Sequence, residues 1–299
     1  MKILEIFIKT PALLMMTTLL AAPITAAPAA PAPEAPRTVE IDLMKMERDA
    51  RCGHILVTGL VGGEPMRLLL DTGATHTVLH TESAARLKNV RWLDTSLMTF
   101  LSNSQQVPKM LLAPLMVGPG QSDVHPIVVM DLSAVRNMLA EKVDGIVGMD
   151  FLGALPFTFD FRRNEYYWGL PSGVSLVPLQ VEMEGGRRVF LNLSCAGKPL
   201  RLLLDTGSAI TRVPSESWAP GVGAEITAQI GNVDSASHRT LIEGKAGDID
   251  VAPGVKLQGV VPLLGEMDEP AILGLDALKN SVLIHMPAEH EGGVFFMCP

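Results

Sequence analysis

Arg67-Leu68-Leu69-Leu70-Asp71-Thr72-Gly73 returns letter for letter as Arg201-Leu202-Leu203-Leu204-Asp205-Thr206-Gly207, 134 residues later. The likeness extends upstream, Gly63-Glu64-Pro65-Met66 against Gly197-Lys198-Pro199-Leu200. A short apolar run closed by Asp-Thr-Gly reads as a buried strand entering a tight turn. Downstream each copy carries a second match, Ile146-Val147-Gly148 and Ile272-Leu273-Gly274. The Asp-to-Gly spacing is 77 residues in the first copy and 69 in the second, a difference of eight that is expected to fall in a loop. Each unit therefore reads as hairpin, buried strand, Asp-Thr-Gly loop, variable β segment, buried strand ending in Gly, short helix and final strand. The short helices are expected to begin near Asp150 and Asp276, whose carboxylates suit helix N-termini as caps.

The rest of the chain fits a β-rich protein of two modest lobes. Its 299 residues are 47% hydrophobic but only 5% aromatic, so the cores are expected to be aliphatic. Net charge is −8 with no basic block, which argues against a nucleic-acid partner. Lys2 and Lys9 precede an apolar stretch, residues 11–22, and small residues follow, the pattern of a secretory signal too short for a comfortable membrane span. The expected organisation is a signal peptide over 1–29, an Ala/Pro-rich spacer and lead-in over 30–51, repeat one over 52–170 and repeat two over 171–299. Export to a periplasm or the exterior follows from that reading, with no stable membrane span after signal removal. Residues 38–52 are either an extra strand or a removable segment. Of three cysteines, Cys52 and Cys298 are the candidates for a bridge.

Two carboxylates presented by two copies of one structure suggest a specific chemistry. Two carboxyls sharing one proton supply a general base and a general acid, with water as nucleophile and neither metal nor cofactor. The alternatives are weak. The histidines, including His54, His76, His80 and His125, lack metal-ligand spacing and read as loop or surface residues, and no Gly-x-Ser-x-Gly elbow occurs.

In this combination the chain resembles the aspartic proteases, specifically the retropepsin-like group, whose halves each supply Asp-Thr-Gly and a later hydrophobic-hydrophobic-Gly strand. The resemblance covers most of the chain after about residue 52. It implies a mostly β fold of two retropepsin-like acid-protease barrel lobes, related by pseudo-two-fold symmetry, with short helices. Retropepsins are usually homodimers of one unit; here two units are fused, and the short linker near residues 169–173 favours a monomer whose intrachain pseudo-dimer forms the site.

The resemblance implies an aspartic endopeptidase with catalytic Asp71 and Asp205, acting on a peptide or unfolded protein. Thr72, Gly73, Ala74, Thr206, Gly207 and Ser208 support the dyad, the two threonine hydroxyls by bonding across to the opposite loop. Mobile hairpin flaps are expected over residues 100–106 and 230–238, with Ser102, Asn103, Gly231 and Asn232 as substrate-binding candidates. No tyrosine lies in either flap region, a departure from typical pepsins. The second copy has Ser208 where the first has Ala74; a Ser208 hydroxyl donating to Asp205 would make Asp205 the more acidic partner and leave the shared proton on Asp71. The competing reading is a catalytically inactive peptide-binding module of the same fold.

Overall fold

A computed structural model describes residues 42–93, 96–99, 104–107, 109–173, 175–232, 235–265, 270–287 and 293–297. The chain divides into residues Met1–Glu40 and Ile41–Pro299, and every described residue lies in the second unit. The signal and spacer, flap residues Ser102 and Asn103, and Cys298 of the suggested bridge lie outside the described residues. No helix among the described residues is long and apolar enough to cross a membrane.

The protein is mostly β. Strands of the first half are β1 (Met46–Arg48), β2 (Ile55–Val61), β3 (Glu64–Leu70), β4 (Val78–His80), β5 (Arg91–Leu93), β6 (Ser96–Thr99), β7 (Ser104–Val107), β8 (Lys109–Val117), β9 (Gly120–Met130), β10 (Gly145–Val147), β11 (Phe157–Asp160) and β12 (Glu165–Trp168). Its helices are α1 (Thr81–Ala85), α2 (Ser133–Met138) and α3 (Met149–Leu152). The second half contains β13 (Val177–Pro178), β14 (Val181–Glu184), β15 (Arg188–Cys195), β16 (Lys198–Leu204), β17 (Arg212–Pro214), β18 (Val222–Asn232), β19 (Ser235–Gly244), β20 (Gly247–Ala252), β21 (Val255–Val260), β22 (Leu263–Gly265), β23 (Ile272–Leu273), α4 (Leu275–Leu278), β24 (Val282–Met286) and β25 (Val294–Met297). The lead-in therefore contains a strand: β1 pairs antiparallel with β2.

In the first half, the order β2-β3-β10-β4-β9-β8 closes on itself through the pairing of β8 with β2, a six-stranded barrel. In the second half the order β22-β17-β23-β16-β15-β20-β21 follows a similar succession of neighbours. The closing pair Leu60↔Met116 has its counterpart in Ser194↔Asp250, both residues displaced by the same 134 positions. The equivalent of β9 is broken into β21 and β22 at Val261-Pro262, where proline supplies no N–H to a ladder.

The triple leucines are explained by two-sided burial. Side chains alternate across a strand, so Leu68 and Leu70 enter the barrel core while Leu69 faces outward. Leu69 is covered by Leu132, Val135 and Leu139, on and beside α2, together with Leu56, Val78 and Ile146. The eight extra residues of the first copy fall between the end of β9 and β10, and they hold α2 rather than a plain loop. An outward-facing apolar strand needs a lid, and 132, 135 and 139 have the spacing of one helical face.

The halves are joined by a five-stranded sheet, β12-β11-β24-β25-β13. Here β11 of the first half pairs with β24 of the second, Phe157 opposite His285 and Phe159 opposite Leu283. Phe157 stacks on Phe159 at 4.5 Å and on His285 at 5.0 Å, with Phe295 against His285 at 4.6 Å. Several of the few aromatics of an otherwise aliphatic protein are gathered at this junction, and one continuous core runs through both halves.

The hairpin β6–β7 flanks residues 100–103, with Thr99 opposite Ser104. Hairpin β18–β19 carries Gly231 and Asn232 at its tip, paired with Ala236 and Ser235. The described part of the second expected flap segment lies at the end of hairpin β18–β19, while residues 100–103 of the first lie outside the described residues.

Candidate active site

Each Asp-Thr-Gly loop begins where a central strand ends. Leu70 pairs with Val147, and the Asp71 N–H donates to the Val147 carbonyl at 3.0 Å. In the second half Leu204 pairs with Leu273, and the Asp205 N–H donates to the Leu273 carbonyl at 3.1 Å. The following glycines complete the pin. A Cβ on Gly148 would lie 2.6 Å from the His76 carbonyl oxygen, and one on Gly274 would lie 2.6 Å from the Ile210 carbonyl carbon. Beyond them Met149 N–H donates to Ala74 O at 2.8 Å and Leu275 N–H to Ser208 O at 2.9 Å. The hydrophobic-hydrophobic-Gly motif therefore acts as a backbone brace behind each loop.

The threonines of the two loops bond across to the opposite half. The Thr72 N–H donates to Thr206 Oγ1 and the Thr206 N–H to Thr72 Oγ1, both at 3.1 Å. Thr72 Oγ1 donates to the Leu204 carbonyl at 2.8 Å and Thr206 Oγ1 to the Leu70 carbonyl at 3.0 Å. Both threonines are fully buried. Each hydroxyl accepts one bond and donates another, so four bonds form a closed set across the interface.

That grip brings Asp71 and Asp205 into hydrogen-bonding reach. The residues are 9% and 7% exposed. Gly73 and Gly207 face the opposite carboxyls: a Cβ on Gly73 would overlap Asp205, and one on Gly207 would overlap Asp71. No side chain larger than hydrogen fits at either place.

The two carboxyls are not equivalent. Asp71 Oδ1 accepts N–H bonds from Gly73 at 2.7 Å and Ala74 at 3.1 Å, whereas Asp205 Oδ1 accepts one, from Gly207 at 2.9 Å. Burial raises the proton affinity of both, and the two N–H donors restrain that rise at Asp71. Asp205 is pushed well above the ordinary carboxyl range, first by burial and then by the negative charge of Asp71. The additional N–H donor at Asp71 favours the charge on Asp71 and the shared proton on Asp205. The geometry thus favours the order opposite to the one expected from Ser208, whose hydroxyl donates to the Ile210 carbonyl at 2.9 Å instead of to Asp205. Backbone donors, invisible as residue types, decide the asymmetry.

Asp150 and Asp276 also differ from expectation. The residues preceding α3 and α4 are Gly148 and Gly274, with no side-chain cap. Asp150 instead accepts from the Thr77 N–H at 2.9 Å and the Thr77 hydroxyl at 2.8 Å, with His125 Nε2 at 3.2 Å. Asp276 accepts from the Thr211 N–H at 2.8 Å and the Thr211 hydroxyl at 2.6 Å. Both acids tie the far end of the Asp-Thr-Gly loop to the short helix. Burial acts to raise Asp150, but bonds from His125 and Thr77 overcome it and leave the carboxyl below its ordinary range. Asp276 has no histidine, and burial leaves it above.

The histidines are not surface groups: His54, in the turn before β2, His80, in β4, and His125, in β9, are buried, and His76, in a loop, is half-buried. Each has a specific partner. The Leu132 N–H donates to His80 Nδ1 at 2.9 Å, His125 meets Asp150, and His54 Nε2 lies 2.9 Å from the Gly207 carbonyl. The internal offset held a signal for His54: it precedes Asp71 by 17 residues, as Arg188 precedes Asp205. No cluster of three or more metal-ligating side chains occurs among the described residues.

Residues 57–151, from β2 through most of α3, match the family described as aspartyl protease. The match takes in Asp71-Thr72-Gly73-Ala74 and the Ile146-Val147-Gly148 brace, and it ends before the second copy begins. No curated protein matches the chain at a significant level.

Proposed function

With residues 57–151 in the aspartyl protease family, we propose that this chain is an aspartic endopeptidase whose single site uses Asp71 and Asp205, one from each half. The observation that carries the proposal is the pair of buried carboxyls, held face to face by the four threonine bonds and given unequal sets of N–H donors.

The chemistry follows from that asymmetry. A water between the carboxyls loses a proton to the Asp71 carboxylate as its oxygen adds to the scissile carbonyl carbon. The Asp205 proton passes to the carbonyl oxygen, giving a neutral tetrahedral diol with Asp71 protonated and Asp205 charged. On collapse Asp71 returns its proton to the departing amide nitrogen, the C–N bond breaks, and Asp205 recovers a proton from the diol. The products are a carboxylic acid and an amine, and the dyad is back in its starting state. The substrate is an extended peptide or unfolded protein, taken between the lobes beneath hairpins β6–β7 and β18–β19 by added-strand pairing. Gly231 and Asn232, at the tip of the second hairpin, are its proposed contacts. Residues 1–29 act as an export signal, and the active form is a monomer in the periplasm or outside the cell.

The test is cleavage of a mixed peptide library from pH 3 to 8 by the wild-type protein, Asp71→Asn and Asp205→Asn. Loss of cleavage in either variant supports one shared dyad. Cleavage that survives one of the changes would place the chemistry elsewhere. A folded wild-type protein that cleaves nothing would point to a peptide-binding module.

A further inference from the structure

His54 belongs to the first half but reaches the aspartate loop of the second. It ends the turn between β1 and β2 and is 5% exposed. Because a carbonyl can only accept, the 2.9 Å contact with the Gly207 oxygen requires a proton on Nε2. Nδ1 is then a bare acceptor, and it is buried without a partner.

The ring is held rigidly behind this contact. The Asp49 N–H donates to the His54 carbonyl at 2.7 Å. The Asp49 carboxylate accepts N–H bonds from Arg51, Cys52 and Ala140, which ties the turn to the end of α2. Ahead of the ring, Gly207 touches both reacting groups. Its N–H donates to Asp205 Oδ1, and its Cα is packed so closely on Asp71 that a methyl would overlap the carboxyl. Fixing the Gly207 carbonyl therefore fixes the residue that meets both carboxyls.

The other loop is held differently. The internal offset places Arg188 opposite His54, and the adjacent Arg187 brings Nη1 within 3.5 Å of the Thr75 carbonyl, two residues beyond Gly73. Arg187 is half-buried and permanently charged, whereas His54 is enclosed and donates a single directed N–H.

We propose that His54 is a positioning residue for the dyad: its neutral Nε2–H holds the Gly207 carbonyl across the interface, fixing the N–H that Asp205 accepts. The proposal rests on the dyad reading above. Charged groups around the ring are Asp71 and Asp49, with Asp205 behind Gly207; the Arg51 guanidinium on the same turn is directed to the Asn137 carbonyl. Burial lowers the imidazole below its ordinary range against the opposing pull of the Gly207 carbonyl, Asp71 and Asp49, which keeps the neutral donor form available in mild acid.

Three measurements test this. Long-range proton–nitrogen NMR on the wild-type protein should find His54 as the Nε2–H tautomer; the Nδ1–H tautomer would overturn the proposal. Carbon-13 carboxyl titration should show Asp205 holding its proton to still higher pH in His54→Leu, because the Gly207 N–H is no longer fixed, and near wild type in His54→Gln, whose amide N–H reaches the same carbonyl. For peptide hydrolysis, kcat should fall about tenfold in His54→Leu with KM little changed, and recover in His54→Gln. Unchanged titration and kcat in folded His54→Leu would also overturn it. If the wild-type protein cleaves no peptide, the peptidase reading fails while the tautomer and titrations still decide the role of His54. If His54→Leu does not fold, the wild-type tautomer and the His54→Gln titration decide it.

Discussion

Replacing Thr72 by valine removes one hydroxyl and keeps nearly the same shape. The Thr206 N–H loses its acceptor at 3.1 Å, and the Leu204 carbonyl loses its donor at 2.8 Å. The two bonds made through the Thr206 hydroxyl survive. Each lost bond costs about 1 kcal/mol when its partners can be resolvated, and about 1–3 kcal/mol when a buried group is stranded. Both stranded groups here lie beside fully buried threonines, so the expected loss is about 2–6 kcal/mol. That is a large part of the ~5–15 kcal/mol holding a typical domain together. Urea unfolding followed by tryptophan fluorescence should show the midpoint lowered by about 1–2 M. Thr206→Val should cost a similar amount, since it deletes the mirror-image pair of bonds. The double variant should lose less than the sum, because either change already loosens the interface that the other grips. A midpoint shift indistinguishable from zero for either single variant would refute the claim that these bonds clamp the halves.

Further outcomes follow from the same geometry. Asp205→Asn should be more stable than wild type at pH 7 and nearly equal at pH 3.5. The raised Asp205 carboxyl favours the folded state below the unfolded value of about 3.9, and that advantage is lost as pH rises through the folded value; urea midpoints that differ equally at both pH values would contradict this. Asp150→Asn should cost about 2–4 kcal/mol by thermal or urea unfolding, since both Asp150 oxygens accept bonds and an amide N–H would face a donor. Because Asp150 is depressed, its contribution is present above the unfolded value and lost as pH falls through the folded one, so this cost should shrink in acid. Asp276→Asn should be much milder, because one oxygen, Oδ1, accepts the bonds from Thr211 and Ala277. Gly207→Ala should abolish cleavage and destabilise by about 1–3 kcal/mol, since the new methyl must displace the Asp71 carboxyl; retained kcat would show that the loop has room to give.

The parts of the site legible in the sequence are those where one residue type has one physical use. Asp71, Gly73 and Gly148, each with a twin 134 or 126 positions on, needed a carboxylate, a missing side chain and a tight backbone approach, and repetition removed the ambiguity. The triple leucines gave the central strands for the same reason. Other parts depended on partners distant in the chain. The eight-residue difference between copies held a helix because Leu69 needs cover, a fact that appears only when the strand's outward face is known. The protonation order turned on a second backbone donor at Ala74 and on the hydroxyl of Ser208 pointing to Ile210. His54 and His125 read as surface groups because their partners, Gly207 and Asp150, lie 153 and 25 residues away.

The sheet that joins β11 to β24 has an evolutionary consequence. In a homodimer of one short chain, every substitution appears on both sides of the axis at once, so an advantage on one side must be tolerated on the other. Here the two sides are separate stretches of one gene, and each can change alone. A covering helix found among the described residues in the first half but not the second, and a histidine reaching Gly207 where an arginine reaches Thr75, are differences that such a homodimer could not encode. In the proposed single-chain site, joining the halves would also free the pair from dilution, since the second aspartate lies on the same chain as the first.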